Sequence, residues 1–172
     1  DLRMREVWTP DPGHVQVGCD ASGLELRMLG HYLSRYDKGE YANAVVFGMS
    51  SEGTDAHTRM QKAVQFSSRD LTKALTYATL YGAGNGKLGQ IIIDDHLAAG
   101  EPRPKGRVDQ IGQAARKRIE QGIDGVEALI AHAQNVATSK GFLTLPDGRA
   151  VKSEARTALN SLLQGAGAVL MK

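Results

Sequence analysis

Between Arg69 and Gly82 the chain reads R-D-L-T-K-A-L-T-Y-A-T-L-Y-G, with Arg69, Lys73, Tyr77 and Tyr81 recurring at every fourth residue. On an α-helix such residues form one slowly winding row, because each step of four drifts by roughly 40°. Two cations and two aromatics then share a surface. Arg offers a rigid fork of donors and Lys a compact point charge, a pair suited to a triphosphate, and the aromatics one and two turns on can stack against a base or sugar. Spacing alone favours a plainer reading, a solvated cationic face with half-buried tyrosines. Ser67 or Ser68 is placed to cap this helix, which sets Arg69 in the first turn, where free amides also favour phosphate.

Length and composition bound the rest. A chain of 172 residues can bury one ordinary core. The formal net charge is +2, so attraction to a nucleic-acid backbone has to come from local patches. The 20 Gly imply several turns or close backbone approaches. The single cysteine, Cys19, excludes an internal disulfide framework and a cysteine-rich zinc site, and it fits a reducing, cytoplasmic setting. No apolar run approaches the roughly 20 residues needed to span a bilayer. D-L-R-M-R-E at the start lacks the apolar core of a signal peptide, and a first residue of Asp rather than Met implies a chain that does not begin at its first codon.

In chain order, Pro10 and Pro12 argue against a regular element at the end of the first segment. Val15 to Asp20 alternates as a strand would, with Val15, Val17 and Cys19 on one face, and it ends on an acid. Ser22 is placed to cap a following helix in which Leu24, Met28, His31, Leu29 and Leu33 supply the apolar stripe. Lys38 to Gly53 reads as a loop with a short apolar turn at Ala44 to Phe47. Gly82 to Gly89 imitates a phosphate loop and fails the test, since Leu88 stands where such a loop needs Ser or Thr. It reads as the end of one helix on a left-handed glycine, with another helix starting near Lys87. Ala99 to Arg107 is a cation-rich Gly/Pro loop. Helices are expected over Val108 to Gln121 and Val126 to Ser139. A hairpin is expected over Phe142 to Val151 about Pro146-Asp147-Gly148. From Ser153 a final helix turns Leu159, Leu162 and Leu163 inward.

Three of these segments together resemble one family. R-x-x-x-K-x-x-x-Y-x-x-x-Y-G is similar to motif B of the family A DNA polymerases, the nucleotide-binding helix of their fingers. The likeness is closest to the replicative enzymes of short-tailed bacteriophages, which carry Tyr at the third position. D-A-S-G-L-E-L-R, from Asp20 to Arg27, resembles motif A, D-x-S-x-x-E-L-R, at the family's spacing before motif B. R-T-A-L-N-S-L-L-Q, from Arg156 to Gln164, resembles the R-x-x-x-N-x-x-x-Q helix.

The resemblance implies a role for each matching residue. Asp20 and Lys73 would be catalytic, and Asp20 with the carbonyl of Ala21 would hold Mg²⁺, two ions in the complete enzyme. Arg69 and Lys73 would hold the β- and γ-phosphates of the incoming nucleotide. His57, in a D-x-H segment between the motifs, would contact the same phosphates. Tyr77 would lie by the sugar, and Glu25 would crowd its 2′ position. Tyr81, Gly82, Arg156, Asn160 and Gln164 would face template and primer.

The resemblance runs from about Gly18 to Lys172 and is weakest between Gly89 and Ser139. After the final helix the family continues into motif C, a His-Asp-Glu hairpin carrying the second metal-binding acid, whereas this chain ends at Lys172. The fold expected is therefore an α+β, mostly helical fragment with part of an antiparallel palm sheet. Partial palm with motif A would occupy 1–36, fingers with motif B 37–140, and hairpin and palm helix 141–172. The implied reaction is template-directed DNA synthesis, nucleotidyl transfer from dNTP to a primer 3′-OH. The implied partners are primer-template DNA, dNTPs, and a separate polypeptide carrying motif C or a processivity factor, with no membrane. Without motif C, the residues in hand are expected not to polymerise alone and to leave a palm edge open to self-association. The alternative is a non-catalytic nucleotide- or DNA-binding module, or one piece of a split polymerase.

Overall fold

A computed structural model describes residues 9–172. The first eight residues, which include the start of the segment assigned to palm and most of the prolyl-flanked leader, lie outside the described part. The order of elements is α1 (Leu24–Asp37), α2 (Glu40–Phe47), α3 (Ala56–Val64), α4 (Arg69–Leu80), α5 (Asn85–Ala98), α6 (Val108–Gly122), α7 (Val126–Lys140), β1 (Phe142–Thr144), β2 (Ala150–Lys152) and α8 (Ala158–Leu170), with short 3₁₀ turns at Ser50–Glu52 and Ala155–Thr157. The mostly helical α+β class is as expected. Among the described residues the sheet is a single antiparallel pair in which Leu143 faces Val151. No described helix is long and apolar enough to cross a membrane.

Leucines from three helices meet at the centre. Leu29 and Leu33 of α1, Leu75 of α4 and Leu88 of α5 have no exposed surface, and Val64, Val126 and Leu163 close the core from α3, α7 and α8. Each such side chain contributes about 1.5–3 kcal/mol on leaving water. Helix α4 reads its own sequence well. Ser68 is the N-cap, its hydroxyl accepting from Leu71 N at 3.0 Å, and Leu71, Leu75 and Leu80 face inward beside Thr72, Thr76 and Thr79. Thr72 and Thr76 satisfy their buried hydroxyls by donating to carbonyls one turn back, both at 2.8 Å. Burying that face leaves Arg69, Lys73, Tyr77 and Tyr81 to the opposite one.

Four expectations are corrected. Residues 15–20 form no strand. They are exposed, with Val15 at 84% and Val17 at 86%, and no described segment pairs with them. Ser22 does not cap α1: the N-cap is Gly23 in the left-handed region, and the Ser22 carbonyl instead accepts from Arg27 Nε at 2.8 Å. In α1 the inward stripe is Leu26, Leu29 and Leu33, while His31 points to solvent. Most of Lys38 to Gly53 is helical. Asp37 reaches across the chain reversal to accept from Gly39 N and Tyr41 N, both at 2.8 Å, and so starts α2 from outside it. Gly30 makes the return possible, since a Cβ there would lie 2.9 Å from Ala42 Cα.

Candidate nucleotide site

The residues singled out by sequence fall into three groups, two of which the fold brings together. The first surrounds a cleft between the start of α1, α2, α3 and α4, lined by Ser22, Gly23, His57, Arg69, Lys73 and Tyr77 among others. Asp55 organises it. As N-cap of α3, it accepts from His57 N at 3.1 Å and from the Thr58 hydroxyl at 2.5 Å. The same carboxylate takes Arg69 Nη2 at 2.9 Å, across 14 residues of sequence. One buried acid thereby sets both the backbone of His57 and the guanidinium of Arg69. Burial pushes the Asp55 carboxyl upward, but the bonds from Thr58 and Arg69 prevail and hold it below the ordinary carboxylate value. Arg69 Nε is buried without a partner, so its donor capacity is not used up.

Lys73 is one turn further along α4, exposed and in no ion pair among the described residues. His57 is half-buried, and burial is the main reason its pKa lies below the ordinary imidazole value. Arg69 and Lys73 lower it further, while Asp55 opposes them. The imidazole is therefore neutral at pH 7, facing two fixed cations. What the cleft can do chemically is accept negative charge: an entering polyanion meets Arg69 and Lys73 and favours a third cation by protonating His57.

The second group continues the row. The His57 and Tyr77 rings are 5.9 Å apart and those of Tyr77 and Tyr81 6.1 Å, the latter nearly parallel at 24°. Tyr81 Oη donates to Glu25 Oε1 at 3.0 Å, and Gln164 Nε2 donates to the same oxygen at 3.0 Å. Residues separated by 56 and 139 positions thus converge on one carboxylate of α1. Burial first, then Glu25, raise the phenols of Tyr77 and Tyr81. Gly82 ends α4 at φ +73°, and a Cβ there would come within 3.1 Å of the Arg156 carbonyl. Only glycine makes this junction without strain.

The third group stays apart. Asp20 lies on the exposed segment before α1, and Ala21 is half-exposed beside it. Among the described residues no set of three His, Cys, Asp or Glu side chains stands together as a metal cage. The Arg156 side chain is exposed, with only its backbone in the junction, and Asn160 is half-buried on α8 and makes no side-chain hydrogen bond among the described residues. Two residues were missed from sequence. Asp55 could have been found as an acid placed two before His57 and three before a threonine. Arg116 of α6, which donates to Asn85 Oδ1 at 2.9 Å and to the Ala83 carbonyl and so braces the turn after Tyr81, carries no local signal.

No family model matches the chain. It is similar to the DNA-directed DNA polymerases of Enterobacteria phage T3 and Escherichia phage T7, each 38% identical over 92% of this chain and 22% of the relative. The DNA-directed DNA polymerase of Escherichia phage Phieco32 is 33% identical over 97% of the chain and 29% of the relative. The chain thus spans under a third of the length of these curated relatives.

Proposed function

We propose that this chain, a member of the family A DNA polymerases, forms the nucleotide-holding part of an enzyme that copies a DNA template. The single observation that carries the reading is the continuous row of Arg69, Lys73, His57, Tyr77, Tyr81 and Glu25, cations at one end and paired aromatics at the other. Arg69 and Lys73 take the β- and γ-phosphates of a dNTP. His57 receives a proton as those phosphates arrive and adds a third cation. Tyr77 supports the sugar, and Glu25, held from two sides, fills the space a ribose 2′-hydroxyl would need. Tyr81, Gly82 and Gln164 receive template and primer, with Arg156 and Asn160 extending that surface along α8. On this reading residues 1–36 and 141–172 belong to the palm and 37–140 to the fingers.

The donor set suits Mg²⁺, because the Asp20 carboxylate and Ala21 carbonyl are hard oxygens and this ion keeps much of its shell in waters and substrate phosphates. When bound it supplies Lewis acidity at the phosphate and the attacking hydroxyl. Ser22 and Gly23, which line the cleft, follow Asp20 and Ala21 directly in sequence.

Isothermal titration of the chain with a dNTP and with the matching deoxynucleoside tests the reading. Lys73→Ala removes one charge-assisted contact, about 1.5–3 kcal/mol, and weakens triphosphate binding at least about tenfold with nucleoside binding unchanged. Equal loss for both ligands would show that Lys73 does not hold phosphate.

A further inference from the structure

We propose that the loop joining α5 to α6 binds the sugar–phosphate backbone of single-stranded DNA, the template strand approaching Tyr81 and Gly82. The proposal rests on the polymerase reading above. Arg103, Lys105 and Arg107 fall within five residues of this loop, and all three are exposed. Lys87, exposed in the first turn of α5, belongs to the same end of the molecule. Helices α5 and α6 approach each other unusually closely, which sets Val108, the residue after Arg107, against α5. A Cβ on Gly89 would lie 2.0 Å from the Val108 carbonyl, and one on Gly112 would lie 1.8 Å from the Asn85 carbonyl. The loop consequently returns beside the first turn of α5, which starts directly after the Tyr81 to Gly84 turn.

The charge is available. The loop's own acid, Glu101, is turned back onto α5, where it meets His96 Nδ1 at 2.9 Å. Asp109, at the start of α6, faces Gly86, its Oδ1 3.0 Å from where a Cβ would stand. No carboxylate pairs with Lys87, Arg103, Lys105 or Arg107 among the described residues. The three loop cations, and Lys87 on the first turn of α5, are thus left facing solvent. Pro102 and Pro104 restrict the loop before anything binds, so little ordering entropy is lost on contact.

Chemistry selects the ligand. Single-stranded nucleic acid is held by a cationic track for the backbone beside aromatic faces for the bases. Here Tyr81, 45% exposed and already stacked on Tyr77, is the aromatic face, and the loop is the track. Arg103 to Arg107 carries no apolar anchor of the kind a protein partner or a membrane surface takes hold of.

The test is the salt dependence of binding of a fluorescein-labelled oligothymidylate by the 172-residue chain, read by anisotropy. Each phosphate contact on a single strand contributes about 0.7 to the slope of log K against log salt concentration. Arg103→Gln with Lys105→Gln, both exposed, makes that slope shallower by about 1.4 and leaves dNTP binding at its original strength. An unchanged slope in this double variant overturns the loop proposal by itself, as does equally weak binding of the oligonucleotide before and after the change. Absence of dNTP binding in the unaltered chain would instead defeat the polymerase reading, which the slope does not measure.

Discussion

Asp55 and His57 are two residues apart, and both titrate below their ordinary values, Asp55 because its charged form is hydrogen-bonded and His57 because burial disfavours its charged form. The Asp55 carboxyl lies below its ordinary value of 3.8 when folded. Its stabilising effect is therefore complete above the unfolded value and is lost as pH falls through the folded one. Asp55→Ala removes an N-cap and leaves Arg69 without its partner, a loss of about 2 kcal/mol at neutral pH. The loss shrinks in acid, and a denaturation series run at pH 7 and below the folded value checks it. A constant difference would mean that the carboxylate charge contributes nothing. For His57 the folded pKa is depressed, so protonation is unfavourable until an anion arrives. Triphosphate binding should therefore take up a proton and strengthen as pH falls from 7.5 toward 6, whereas nucleoside binding should not change. His57→Gln should flatten the profile, and a slope that survives this substitution assigns the proton to another group.

At the scale of elements, close packing carries as much information as periodicity. α5 and α6 meet through Gly89 and Gly112, backbone to backbone, and that contact is what brings Arg116 to the turn after Tyr81. A Cβ at Gly112 would meet main-chain atoms that no rotamer change can move. Gly112→Ala should cost about 1–3 kcal/mol, and it should also weaken oligonucleotide binding by shifting the loop. Gly18→Ala, with nothing within 4 Å of its Cβ, is the control. Equal melting temperatures for the two variants would show that the helices separate freely. α4 is the contrasting case. Ser68, its threonines and its inward leucines all agree with helix, so little is left for its neighbours to decide.

At the scale of the whole molecule, Glu25 joins α1 to α4 and to α8 through one oxygen. A double-mutant cycle over Glu25→Gln and Gln164→Ala should return a coupling of about 0.5 kcal/mol in unfolding free energy. Additive effects would mean that the two helices are held together by apolar packing alone. This convergence bears on what was legible beforehand. The α4 row, α6, α7, the Asp-Gly hairpin and α8 are local, since caps, turn residues and spacing act within a few positions, and the sequence by itself determined them. The row also named Arg69, Lys73, Tyr77 and Tyr81 as one surface. Tertiary structure decided what local rules could not reach. Residues 15–20 have the alternation of a strand, but a strand exists only when a partner supplies its hydrogen bonds, and no described segment does. α2 forms because Asp37 caps it from the preceding helix and Gly30 lets Ala42 approach, contacts that spacing does not encode. Whether His57, Arg69 and Glu25 stood at one site depended on Asp55 reaching over 14 residues and Gln164 over 139, distances at which only the packed core determines which side chains meet.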